Sequence, residues 1–215
     1  MTIRAEPFTP FPIEKFSTLV DTLVAHDPWY DDVINTPELR RQAVIAYLAD
    51  GYNNGKLWEC WRDDDLIGIL LLNELVPFRD GRCHFVFTDS HLADKYQLCL
   101  NLMRYSFEQV PVEVLRAEIP TYARALLKFA RKLGFRYEAE HRAFSWPSNA
   151  QPLDADVAKL GSRKHRATLY KGEWHDVMML SITREEFFAL EHHGRPESIP
   201  LTQQHDGAPA VAHRP

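Results

Sequence analysis

The sequence predicts an α/β protein, with a mixed, mostly antiparallel central sheet flanked by helices, and three observations predict it. The apolar runs KLWECWR, LIGILLLNEL and RCHFVFT follow one another with only turns between them, which gives a three-strand antiparallel meander. From Arg82 to Phe135 strand and helix then alternate, and helix crossovers make the strands they join locally parallel. At 215 residues, 45% hydrophobic and 12% aromatic, the chain can bury one good core. The predicted organisation is one domain over residues 1–191 and a tail over 192–215.

The elements follow in order. Phe16, Leu19, Val20, Leu23 and Val24 recur at helical spacing, so Ile13 to His26 forms an amphipathic helix that Asp27-Pro28 stops. A second helix is predicted from Pro37 to Asp50, with Thr36 as its cap and Gly51 ending it in the left-handed conformation. The acidic, aromatic loop between them either borders a cleft or lays Trp29 and Tyr30 over a neighbouring apolar surface. Asp63, Asp64 and Asp65 turn the first hairpin; Ile67 to Leu72, nearly all apolar, reads as a central strand covered on both faces, and Gly68 marks a bulge or a close backbone approach.

A helix from Tyr96 to Gln109 and a strand from Val112 to Ile119 come next. The following helix carries Leu126, Phe129, Ala130 and Leu133 on one face and Arg124, Lys128, Arg131 and Lys132 on the other, and Gly134 caps it. RYEAEHRAFSW and EWHDVMMLSI alternate as strands and pair with each other. The long irregular stretch between them, with Arg163, Lys164, His165 and Arg166, is a functional flap, a contact loop or a solvated charge cluster. Thr183 to Glu186 has capping-box spacing ahead of a short last helix, and the Pro-, Gly-, Gln- and His-rich tail cannot bury a core.

Composition excludes several classes. A formal net charge of -5 gives no field that would draw the chain to nucleic acid or an anionic membrane, and no window approaches the length of a membrane span. Cys60, Cys83 and Cys99 are an odd, widely spaced set, which argues against a disulfide framework and a structural zinc site and for a reducing, cytoplasmic setting. The tail histidines fit no ligand template, and no G-x-S-x-G or P-loop is present.

LGFRYEAEHRA and YKGEWHDVMMLSI, read with this order of elements, resemble the GNAT superfamily of acyl-coenzyme A dependent N-acyltransferases, in particular its ribosomal-protein alanine acetyltransferase branch. Leu133, Gly134 and Phe135 match the family's helix end, Glu138 and Arg142 approximate the charges of the next strand, and Tyr170, Gly172, Trp174, Asp176 and Val177 match the segment leading into the last strand. The resemblance covers Ile3 to Ile182. It implies transfer of an acetyl group from acetyl-CoA to an amine, either a small molecule or a protein N-terminus.

It also implies that the coenzyme lies along Phe87, Thr88, Asp89, Ser90, His91 and Lys95, between the strand at Cys83 to Thr88 and the strand at Val112 to Ile119. The family's loop carries glycines there; Thr88 to Lys95 has none, so its side chains would crowd a pyrophosphate, and Asp89 and Asp94 would repel it, against Lys95 and His91. The tyrosine that usually protonates the leaving thiolate is replaced by Ala130, with Tyr122 or Tyr170 as stand-ins. Glu118 is the first candidate for the base, ahead of His84, Glu74 and His141; a strand-end Glu or a solvent-facing His is the plainer alternative. A chain that keeps the apolar skeleton without the glycine loop fits a second reading, a non-catalytic assembly component such as a virion protein. Residues 147–170 and the tail would then contact a protein partner or a second copy.

Overall fold

A single sheet of eight strands runs through the described residues of this computed structural model, which are 3–9, 13–25, 36–88, 92–138, 162–170 and 172–192. In chain order the elements are β1 (Ile3–Pro7), α1 (Ile13–Ala25), α2 (Pro37–Asn54), β2 (Lys56–Arg62), β3 (Asp65–Val76), β4 (Asp80–Phe87), α3 (Leu92–Gln109), β5 (Val114–Pro120), α4 (Arg124–Lys132), β6 (Arg136–Tyr137), β7 (Arg163–Tyr170), β8 (Glu173–Thr183) and α5 (Arg184–His192). The sheet order is β1-β2-β3-β4-β5-β8-β6, and β7 pairs with β8. Each neighbouring pair is antiparallel except β4 and β5.

The alternation of side chains along β3 explains its unbroken apolar run. Leu70 and Leu72 join the core that α3, α4 and α5 cover, whereas Ile69 and Leu71 join the core beneath α1 and α2. Burying both faces requires apolar residues at every position, which the sequence supplies. On the first face Cys99, Leu102, Met103 and Phe107 of α3 pack with Leu115, Met178, Leu180 and Phe187.

The meander, the parallel crossover and the pairing of β6 with β8 are as predicted. Thr36 caps α2 by accepting from the Leu39 N–H at 3.2 Å. Thr183 and Glu186 form the capping box: the Thr183 hydroxyl accepts from the Glu186 N–H at 3.2 Å, and the Glu186 carboxylate accepts from the Thr183 N–H at 3.0 Å. Gly134 ends α4 with φ 97.

Four expectations need correction. Gly51 does not end α2; the helix continues to Asn54, and a Cβ on Gly51 would stand 2.6 Å from Leu71 Cδ1. Its role is to let the helix lie close on the sheet. The residues before α1 contain β1, whose Ile3 to Pro7 pair with Arg62 to Trp58. Helix α3 begins four residues earlier than its apolar period, at Leu92. Finally, Arg163 to Tyr170 form a strand that folds back on β8 through Gly172 at φ 76, and Asp176 faces Arg163 and His165, at 3.4 Å from each.

Asp27 to Asn35, the stretch from 139 to 161 and the tail beyond His192 lie outside the described residues. No helix among those described is long and apolar enough to cross a membrane.

Candidate active site

The site begins where β4 and β5 part. Both strands run in the same direction, but only Asp80, Gly81 and Arg82 pair with Val114, Leu115 and Arg116. Beyond that rung β4 stays with β3 as far as Phe87, and β5 stays with β8 as far as Pro120. Two facing strand edges, residues 83–87 and 117–120, are therefore left without a ladder partner across the gap. At the point of divergence the Cys83 thiol donates to the Arg116 carbonyl at 3.4 Å. A side chain thus satisfies an acceptor that a continuing ladder would have used. Burial pushes the Cys83 thiol up to about 12, so it stays protonated and serves as a donor.

Alternation places Arg82 and His84 on one face of β4, and Arg116 and Glu118 on the same face of β5. Together with Glu74, Asp80 and Glu138 the arginines and Glu118 line a cavity of about 60 Å³ at the root of the fork. Arg82 bridges two carboxylates, Glu74 at 3.0 Å and Glu118 at 3.0 Å. Arg116 reaches Asp80 at 2.9 Å and Glu138 at 3.6 Å. Four carboxylates against two guanidiniums leave a formal excess of two negative charges, which favours a cation over an anion. Glu74 takes its place through backbone geometry: it has φ 49 and lies where the register of β3 and β4 shifts, a bulge that turns its side chain towards Arg82.

His84 does not line this cavity. It lies between the sheet and α2, with Tyr47 edge-on to its ring at 5.5 Å and Asn73 Oδ1 3.0 Å from its Nε2. Burial, aided by the Arg82 charge, pushes the imidazole down to about 4, so it is neutral at physiological pH. Tyr122 stands past the far end of β5, in edge contact with His175 at 4.7 Å; next to it the Thr121 N–H donates to the Asp176 carbonyl. Glu118 and Tyr122 thus sit at opposite ends of the unpaired edge of β5. His141 lies outside the described residues, and the side chain of Tyr170 is not described.

At the mouth of the fork, the Thr88 hydroxyl donates to the Leu66 carbonyl at 3.2 Å and is held to β3. Lys95 lies over the Phe87 ring at 5.6 Å, and Lys132 of α4 lies over Tyr96 at 4.9 Å, which gathers two ammonium groups around the start of α3. Asp89, Ser90 and His91 lie outside the described residues. The expected repulsion from Asp94 is corrected: its carboxylate is held by Arg62 at 2.9 and 2.5 Å, and the pair is mostly buried, so its charge is compensated.

Arg82, Arg116, Asn73 and Lys132 were not among the residues expected to form the site. Period-two alternation in RCHFVFT and VLRAEI contained part of the signal, since it groups Arg82 with His84 and Arg116 with Glu118. Among the described residues no group of three or more His, Cys, Asp or Glu is arranged to hold a metal ion.

No protein-family model and no curated protein matches the chain. Solved structures do. RimL, a ribosomal-protein alpha-N-acetyltransferase solved in complex with coenzyme A, matches at 15% identity and TM-score 0.60, covering 85% of this chain and 94% of its own. A mutant of SpeG, the spermidine/spermine N-acetyltransferase of Vibrio cholerae, matches at 11% identity and TM-score 0.61, covering 88% and 99%. A GCN5-related N-acetyltransferase from Brucella melitensis matches at 15% identity and TM-score 0.58, covering 88% and 79%. Likeness at such identities establishes the architecture: the chain has the GNAT fold.

Proposed function

We propose that this protein is an N-acyltransferase that moves an acetyl group from acetyl-CoA to an amine. The observation that carries the reading is the fork: two parallel strands that pair over three rungs and then expose facing backbone edges, beside a cavity with an excess of carboxylates. Unpaired strand edges suit an amide-bearing pantetheine arm, because each amide group finds a complementary backbone donor or acceptor. The start of α3, with Lys95 and Lys132 beside it and Asp94 neutralised by Arg62, suits phosphate. Phe87, Thr88 and Lys95 border that end.

Bound acetyl-CoA supplies a thioester, whose acetyl carbon forms a C–N bond with the amine as its C–S bond breaks. The chain's part is to place the amine and move two protons. Glu118 and Glu74, spaced by Arg82, attract the cationic amine to the root of the fork. Glu118, which lines the cavity, is the first candidate to take the proton the amine nitrogen gives up, with His84, on the same face of the sheet but outside the cavity lining, as the alternative, and the Tyr122 hydroxyl is the group that supplies one to the leaving sulfur. Backbone N–H groups on the free edge of β4 would be the hydrogen-bond donors to the thioester carbonyl oxygen, on which negative charge builds.

Titrating acetyl-CoA while following the melting temperature tests the reading. A ligand at a hundred times its dissociation constant adds about 2.7 kcal/mol of stability. For a chain of this size that is roughly 5–11 °C. No shift at millimolar acetyl-CoA refutes the proposal.

A further inference from the structure

Behind the fork a chain of polar groups runs from the end of α2 to His84. Asn54 Nδ2 donates to Asp50 Oδ1 at 2.9 Å, Asn73 Nδ2 donates to Asp50 Oδ2 at 3.4 Å, and Asn73 Oδ1 lies 3.0 Å from His84 Nε2. The chemistry of these groups leaves one arrangement. A carboxylate only accepts, so the amide of Asn73 must turn its NH2 towards Asp50 and its carbonyl towards the histidine. A carbonyl also only accepts, so His84 Nε2 must carry the hydrogen. Asn73 is buried, at 7% exposure, so turning its amide to face either partner with the wrong group would leave a buried polar atom unsatisfied. Tyr47 holds the ring plane from the other side. In the neutral imidazole the lone pair then resides on Nδ1, which has no hydrogen-bond partner among the described residues.

We propose that Asp50 and Asn73 are positioning residues that fix His84 in its Nε2–H tautomer and so make Nδ1 the atom through which it takes up a proton. The assignment rests on the acyltransferase reading for its role in catalysis, but not for the tautomer itself. When Nδ1 accepts the proton released by the amine nitrogen, the charge of the resulting imidazolium is shared through Nε2–H with Asn73 and, behind it, the Asp50 carboxylate. The ionisable groups around the ring are Asp50 and Tyr47 from α2 and Arg82 on its own strand.

Nitrogen-15 NMR of the histidine rings in the full chain, with His84 assigned from its loss in His84→Gln, reads the tautomer directly. The wild type is expected to show a protonated Nε2 and a bare Nδ1 at neutral pH. Asp50→Ala removes the constraint on the Asn73 amide, and Asn73→Leu removes the acceptor. In both, the ratio of Nε2–H to Nδ1–H should fall about fivefold, the factor corresponding to one hydrogen bond of about 1 kcal/mol. Asn73→Asp keeps an acceptor oxygen and should keep the tautomer. Asp50 is exposed, so its variant remains informative if the Asn73 variants fail to fold. An Nδ1–H signal in the wild type, or an unchanged ratio in Asp50→Ala, overturns the assignment. In acetyl transfer, Asp50→Ala should lower kcat while leaving KM for acetyl-CoA unchanged; an unchanged kcat in a variant whose tautomer has shifted overturns the catalytic part. A missing melting shift with acetyl-CoA would instead refute acyl transfer and leave the tautomer result standing.

Discussion

One change, glycine to alanine, made at two places in this sheet should have different effects, because the added methyl meets backbone in one case and a side-chain tip in the other. At Gly68 the Cβ would stand 2.4 Å from the Val86 carbonyl oxygen and 3.0 Å from Phe87 Cα, on the adjacent strand β4. Ordinary contact needs about 3.5–4.0 Å, so β3 and β4 would have to separate by about 1 Å, and ladder hydrogen bonds do not stretch that far without loss. Forced overpacking costs about 1–3 kcal/mol when side chains can yield. Here the Phe87 ring edge, at 2.7 Å, could turn aside but the Val86 carbonyl cannot, so Gly68→Ala should lose about 3 kcal/mol or more, roughly 6–12 °C in melting temperature. At Gly51 the methyl meets Leu71 Cδ1, the end of a side chain with rotamers to try, although in a tight core. That strain of about 1–2 kcal/mol is offset by about 1 kcal/mol, since alanine is the better helix former. Gly51→Ala should therefore lie within about 1.5 kcal/mol of the wild type. Urea denaturation at pH 7 gives both numbers. Equal losses at the two sites, or less than about 1 kcal/mol at Gly68, would refute this assignment of the contacts.

Three further outcomes can be measured. Arg62→Met frees the charge of Asp94 at the start of α3 and should weaken acetyl-CoA binding about three- to tenfold; adding Asp94→Asn should restore it, and failure to do so would show that Asp94 does not face the coenzyme. Lys15→Met leaves the Glu59 carboxylate buried without its partner at 2.5 Å and should cost roughly 3 kcal/mol, while the double variant Lys15→Met with Glu59→Met should recover most of that; a double variant no more stable than Lys15→Met alone counts against the pair. His84 titrates near 4 when folded and near 6.5 when unfolded, so the unfolded chain binds the extra proton between those values. Its contribution is complete above pH 6.5 and is lost as pH falls towards 4, up to about 3 kcal/mol. The drop in urea midpoint between pH 7 and pH 5 should shrink in His84→Gln, and an equal drop in both proteins would contradict the depressed value.

Local chemistry made much of the fold legible. The capping box at Thr183, the cap at Thr36 and the stop at Gly134 are each read within a few residues of sequence, because the groups they satisfy lie one helical turn away. β1 has no such local partner: five residues pair with a strand more than fifty positions later, and the alternation of IRAEP is too short to mark a strand by itself. Gly51 invited the wrong explanation for a related reason. A glycine after an apolar period reads as a helix end, and only the position of Leu71 on the sheet reveals close packing instead. The candidate site was legible by face but not by partner. Alternation placed Arg116 and Glu118 on one side of a strand, yet that Arg82 would bridge Glu118 and Glu74 depends on which strands are neighbours, on where their pairing stops and on the bulge at Glu74.

The place of β8 has a consequence for how the protein is made. This strand lies between β5 on one side and β6 and β7 on the other, yet among the described strands it comes last in chain order. Until residues 177–183 have emerged from the ribosome, β5 has an open edge from Val114 to Pro120, flanked by Leu115, Ala117 and Ile119, which later become core. A nascent chain can build the meander and its helices early but must hold that edge open until β8 itself has been made. Chains halted before β8 should therefore expose a strand that pairs readily with another copy, and aggregation of such fragments is the hazard built into this order of strands.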